Sequence, residues 1–179
     1  MVDDRLSLAD NVCLVLIVLG AEHGWAVVQQ LRPTTPLGRI WSLSRALTYR
    51  SIEQLIELNC VRRRGVIAGK GGDRRLVRAT SLGRSTANKW LDTPVQHLRD
   101  VRTEFLLKLE LRTQATKPNT AFIRRQQRAF APVIATLEGS AQTSKIPVDL
   151  WRSESAKSVN AFLNKLVPDQ RYNTHVPNS

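Results

Sequence analysis

Between Val12 and Leu19 the chain carries no polar residue that could mark a solvent side. Ser7 and Asp10 stand at capping-box spacing just before this run, which predicts a helix over 8–19. A helix apolar nearly all round, at Val12, Cys13, Leu14, Val15, Leu16 and Ile17, must be covered on more than one side. The run is about half the length a membrane span needs, so no transmembrane helix is expected. Asp3 and Asp4, where a signal peptide would carry basic residues, argue against a secretory leader. The whole is 179 residues, enough for one ordinary domain or two small ones. Its hydrophobic share of 42% is too high for a disordered chain. Cys13 and Cys60 form no CxxC pattern and fit a reducing interior better than a disulfide framework.

Downstream of Gly20 a second helix is expected from about Trp25 to Leu31, stopped by Arg32-Pro33. A loop through Pro36 and Gly38 leads to Trp41. A third helix is capped by Ser42 or Ser44 and runs to Leu58. Leu47, Ser51 and Leu55 recur along it, widened by Ile52, Ile56 and Leu58, with Arg45, Tyr49, Arg50 and Glu53 turned away. Asn59 suits a left-handed helix end. The period then changes, and Val61–Ala68 and Arg74–Thr80 read as two strands around a glycine-rich tip, Gly69-Lys70-Gly71-Gly72-Asp73. Thr80 caps a fourth helix ending near Leu91.

Asp92-Thr93-Pro94 is the best domain boundary. Beyond it three helices are expected, at 95–112, 119–138 and 148–166. Val95, Leu98, Val101, Phe105 and Leu109 mark the first. Phe122, Gln126, Phe130, Val133 and Leu137 mark the second, with a kink at Pro132. Pro147 opens the third, with Val148, Trp151, Ser155, Val159, Phe162 and Leu166 on one face. Residues 168–179 show no periodicity and read as a disordered tail.

Charge says what this frame is for. The formal net charge is +12 and the pI is near 10.8. Residues 1–40 hold 3 basic and 4 acidic side chains, whereas residues 41–90 hold 11 and 3. Two thirds of the excess therefore sits in 50 residues, and a polyanion is the simplest partner for such a concentration, with RNA, DNA and an anionic membrane all open on charge alone.

Three helices followed by a basic hairpin is the order of a winged helix-turn-helix. In that module the third helix enters the major groove and the hairpin lies over the neighbouring backbone. The expected DNA-facing residues are Ser44, Arg45, Tyr49 and Arg50 on the helix, with Arg62, Arg64, Lys70, Arg74 and Arg75 on the wing. Arg63 and Arg78 add to the wing's charge. The sequence resembles the PadR family of bacterial transcriptional regulators, over roughly residues 6–166. The resemblance rests on His23-Gly24-Trp25, on Trp41 through Arg50 with Leu55 beyond, and on Thr80-Ser81-Leu82-Gly83-Arg84. The run Val101–Leu109 is similar to the start of that family's helical dimerisation region. Asn59 stands where the family commonly has Gly, and Val77 and Ala79 where a Tyr and a larger aliphatic residue are common.

The resemblance implies a winged helix-turn-helix domain over 1–91 and a helical dimerisation domain over 95–167. It implies a cytoplasmic, nucleoid-associated homodimer with no membrane partner that binds palindromic double-stranded DNA, usually as a repressor, and is released in some members by a small aromatic ligand. The expected dimer residues are Leu8, Val12, Leu16, Phe105, Leu109, Phe130, Trp151 and Phe162. Two other readings use the same sequence. One is a basic RNA-binding or ribosome-associated protein, which exposed aromatics along a sheet would favour and this hairpin lacks. The other is a helical oligomerisation module whose basic face is incidental.

Catalytic chemistry finds little support. Gly65, Gly69, Lys70 and Gly71 miss the phosphate-loop spacing by one residue, and no Ser or Thr follows Lys70. His23, His97 and His175 have no Cys, Asp or Glu at metal-ligand spacing, so no cofactor, no metal and no enzymatic activity is expected. His23 reads as a turn and cap residue. Core packing is expected for Trp25, Trp41, Trp90 and Trp151, with a ligand groove lined by some of them as the less favoured alternative.

Overall fold

A computed structural model describes residues 6–68, 73–141 and 146–167. The wing tip at 69–72, with the expected contact Lys70, and the expected tail at 168–179 lie outside the described residues. Eight helices and two strands are described: α1 (Leu8–Val18), α2 (Gly24–Gln30), α3 (Pro36–Ile40), α4 (Arg45–Glu57), β1 (Val61–Ile67), β2 (Arg74–Ala79), α5 (Ser81–Asp92), α6 (Glu104–Gln114), α7 (Thr120–Ala141) and α8 (Pro147–Leu166). The fold is mainly α with one antiparallel hairpin, and the order of elements through α5 is that of a winged helix.

Contacts divide the chain into two compact units. Unit 1 is 1–93 with 102–117, and unit 2 is 94–101 with 118–179. The chain first leaves unit 1 at the Asp92-Thr93-Pro94 boundary, but 102–117 returns to it.

In unit 1, α1 is the central element. Ser7 Oγ accepts the Asp10 amide at 3.2 Å, and Asp10 accepts the Ser7 amide at 2.9 Å, closing the capping box. Val12 through Ile17 are all buried, covered by α2, α4, α5, α6 and β2. This corrects the expected use of Val12 and Leu16 at a dimer seam. Both lie in the chain's own core, and Leu8 packs half-buried against that core. Phe105 is likewise fully buried, and so in unit 2 is Phe130.

Helix α3 replaces the expected loop. Thr35 Oγ1 accepts the Gly38 amide at 3.0 Å, and Pro36 takes the first helical position, where no amide is needed. Gly38 is sterically required, since a Cβ there would fall 1.7 Å from the Arg32 carbonyl oxygen.

The expected helix over 95–112 is two elements: a 3-10 turn over Leu98–Arg102, then α6. Leu98 and Val101 are three residues apart, a spacing that a 3-10 turn satisfies as well as an α-helix does. On α6 the buried face holds Phe105, Leu107 and Leu111 together with two cations, Lys108 and Arg112, while Leu109 is only half-buried. The cations meet the C-terminal end of α5. Lys108 Nζ donates to the Thr93 carbonyl at 2.8 Å, pairs with Glu104 at 2.7 Å and sits 4.8 Å from the Trp90 ring centre. Arg112 donates to the Leu91 carbonyl at 3.2 Å and to the Asp92 carboxylate. Carbonyls left open at a helix end are where cations are most useful.

Unit 2 is built on the α7–α8 pair. Phe122, Ile123, Gln126, Phe130 and Ile134 of α7 are buried, and the Gln126 amide bonds both the N–H (2.8 Å) and the carbonyl (3.0 Å) of Val95. Val133, expected inside, is exposed, because Ile134 continues the four-residue spacing through 122, 126 and 130. Pro132 lies within α7. On α8 the buried residues are Ser153, Ala156 and Leu163. Of the expected face, Val148 and Trp151 are exposed, Trp151 by 73%. Core packing therefore does not account for Trp151, although Trp41 and Trp90 do pack partly buried against the unit 1 core.

Candidate nucleic-acid interface

Helix α4 has two faces of opposite character. Thr48, Ser51, Ile52 and Leu55 are buried, at i, i+3, i+4 and i+7. Arg45, Ala46, Tyr49, Arg50 and Glu53 are exposed on the other side. Leu47, expected in the buried stripe, is 48% exposed, and Thr48 takes its place, donating to the Ser44 carbonyl at 3.0 Å. Ser44 caps the helix, its Oγ accepting the Leu47 amide at 3.2 Å. At the other end Asn59 has φ 56°. The Cys60 amide reaches the Leu55 carbonyl at 2.9 Å and the Asn59 amide that of Ile56 at 3.0 Å. This is a Schellman closure with Asn in the position usually held by Gly.

The wing follows directly. Val61 pairs with Ala79, Arg62 with Arg78, Arg63 with Val77, Gly65 with Leu76, Val66 with Arg75 and Ile67 with Arg74. The register slips between Arg63 and Gly65, so Arg64 is the extra residue of a β-bulge, with Gly65 at φ +145°. The adjacent arginines therefore serve different sides. Arg63 lines a cleft of about 320 Å³ with Arg45, Tyr49, Arg74 and Arg75. Arg64 lines one of about 740 Å³ with Ile17, Arg78 and Arg84.

Arg63 is also ion-paired with Glu53 of α4, which ties the wing to the helix and neutralises the carboxylate on the exposed face. No spacing rule relates residues 53 and 63, so sequence reading missed this pair. Among the described residues Arg45, Arg50, Arg62, Arg64, Arg74, Arg75 and Arg78 have no carboxylate partner, and all are exposed. Arg62 and Arg78 face each other across the strands, an arrangement that costs stability until an anion approaches.

The α1–α2 connection joins the hairpin: the Val77 amide donates to the Glu22 carbonyl at 2.7 Å, and His23 bridges Leu76. His23 is the α2 cap, its Nδ1 accepting the Ala26 amide at 3.0 Å. Beside it the Trp25 ring centre lies 5.5 Å from the Arg32 guanidinium carbon and 5.7 Å from that of Arg45, which is also 5.7 Å from the Tyr49 ring centre.

Other chemistry is scarce among the described residues. No group of three or more His, Cys, Asp or Glu could hold a metal ion. Burial, with the nearby Asp10 charge, pushes the Cys13 thiol up to about 12, which keeps it protonated and unreactive. No helix is long and apolar enough to cross a membrane.

No family model matches the sequence, and no curated protein matches it. Among solved structures the chain is similar to Bacillus subtilis PadR in complex with operator DNA, at 19% identity over 89% of this chain and 97% of that one, with a TM-score of 0.47. It is similar to the same protein in complex with p-coumaric acid at 18% identity, covering 89% and 93%, with a TM-score of 0.40. For Bacillus subtilis PadR itself the identity is 18%, the coverage 89% and 92%, and the TM-score 0.41.

Proposed function

We propose that the protein is a sequence-specific DNA-binding transcriptional regulator that acts as a homodimer on a palindromic operator, as a repressor. The observation that supports this most directly is the set of seven exposed arginines without carboxylate partners, spread over one helix face and the adjoining hairpin. In this reading Arg45, Tyr49 and Arg50 meet base edges in the major groove, with Ser44 at the adjoining phosphate. Arg62, Arg64, Arg74 and Arg75, with Lys70 at the tip, meet the backbone. Residues 95–167 supply the pairing of subunits. Such a regulator would work in the cytoplasm, on the nucleoid. A small aromatic acid would release it, and p-coumaric acid is the first probe.

Selection from random duplexes tests the reading, with one enriched palindrome expected and no enrichment overturning it. On the enriched duplex Arg45→Ala should cost about 1–3 kcal/mol per site and little on random DNA. The double change Arg74→Ala, Arg75→Ala should weaken both duplexes alike and flatten the log-log salt slope by about one per lost phosphate contact. Loss of preference in the wing variant with preference retained in Arg45→Ala would reverse the roles.

A further inference from the structure

Arg45 occupies the first position of α4, next to the cap Ser44. The positive end of the helix dipole disfavours a cation there, and no carboxylate among the described residues compensates. What Arg45 does have is two aromatic rings, Trp25 and Tyr49, each at cation–π distance. Trp25 is half-buried in the first turn of α2, two residues after the His23 cap. Tyr49 lies against bare backbone, since a Cβ on Gly24 would come within 2.6 Å of its ring. The corner where α2 begins therefore forms a rigid shelf under a long, flexible side chain.

We infer that Trp25 is a positioning residue for DNA reading: its indole holds the Arg45 guanidinium in the orientation that meets a base edge. The inference rests on the proposed function. An arginine that must be ordered at the moment of binding gives up side-chain entropy then, and one already laid on a ring gives up less. Arg32 shares the same indole, so two like charges converge on one ring. That crowding is relieved when an anionic surface approaches, which aims both guanidinium groups at the same partner.

The test uses the full chain with the selected duplex and a scrambled one. Trp25→Leu should reduce the preference for the selected duplex about three- to tenfold and leave the salt slope unchanged, because no phosphate contact is lost. Trp25→Phe, which keeps a ring, should fall between. In an Arg45→Ala background Trp25→Leu should have no further effect on preference, a coupling that a merely structural role would not produce. Relaxation of the Arg45 Nε–H in the free protein should show the guanidinium freed by Trp25→Leu. Equal losses on both duplexes, additive losses with Arg45→Ala, or an unmoved Arg45 signal would each overturn the inference. The relaxation measurement needs no DNA. A wild-type chain without duplex preference would therefore sink the proposed function, while the Arg45 signal alone would decide whether Trp25 holds it.

Discussion

The two units solve the problem of burial differently. In unit 1 every residue of α1 from Val12 to Ile17 is covered by elements of the same unit, and even the charged ends of Lys108 and Arg112 find carbonyls and carboxylates inside it. In unit 2, α8 buries Ser153, Ala156 and Leu163 but leaves Ile146, Val148, Leu150 and Trp151 exposed around its start. Hydrophobicity in the sequence therefore did not indicate which helix faces outward. The most apolar helix is closed off, and a more polar one keeps the large exposed ring.

The contrast can be broken most severely at Leu16, which is 3% exposed. Leu16→Glu places a charge in a closed core and should cost several kcal/mol, on the order of the stability of a whole domain. Circular dichroism should show unit 1 unfolded even in dilute solution. Retention of structure would mean that α1 is not sealed within one chain.

Trp151 is the counterpart in unit 2. Trp151→Ser should leave the helical signal of the monomer intact yet weaken self-association by about 2 kcal/mol, as expected of a central aromatic contact. Sedimentation equilibrium reads it directly, and an unchanged association constant would remove α8 from the proposed subunit interface.

These two residues also show how far sequence reading reaches. Periodicity identified the helix containing each, and the winged helix with its basic strands was legible from order and charge. Which face a helix buries was less so. A stripe is defined against neighbours, and Val133 against Ile134, or Leu47 against Thr48, differ by one residue's rotation. Helix α3 was hidden because Pro36 and Gly38 carry loop statistics, although here one starts the helix and the other fits under a carbonyl. The Glu53–Arg63 and Trp25–Arg45 contacts join residues that no local rule connects. Such contacts are visible only once the chain has folded.

A smaller effect sharpens the edge of unit 1. The end of α6 closes with Thr116 at φ 55°, a left-handed conformation that a β-branched residue adopts at a cost. Thr116→Gly should therefore stabilise unit 1 by about 1 kcal/mol in chemical denaturation, whereas Asn59→Ala, at the matching end of α4, should destabilise it by a similar amount.

The smallest effect is on acid stability. Burial works to raise the Asp92 carboxyl, but the hydrogen bonds and charges of Arg112 and Lys117 outweigh it and hold it below the ordinary carboxylate value. A depressed carboxyl stabilises fully above its unfolded pKa, and that contribution fades as the pH falls through the ordinary carboxylate range to the folded value. Its side chain is 48% exposed, so the change is small. Asp92→Asn should flatten the acid limb of a stability-against-pH curve, and an unaltered limb would assign it to other carboxylates.

The hairpin's register carries one more consequence, for solubility. A two-stranded sheet ordinarily offers two open edges to which a strand of another molecule can add, the first step toward aggregates. Here the outer side of β2 is engaged by Glu22 and His23. Strand β1 carries Arg62, Arg63 and the bulged Arg64 on its two faces. The bulge breaks the regular edge that an added strand would need, and the charges of Arg62 and Arg64, which have no carboxylate partner among the described residues, disfavour its approach. A variant stripped of the cations proposed to hold a nucleic acid should therefore precipitate more readily as well as bind more weakly.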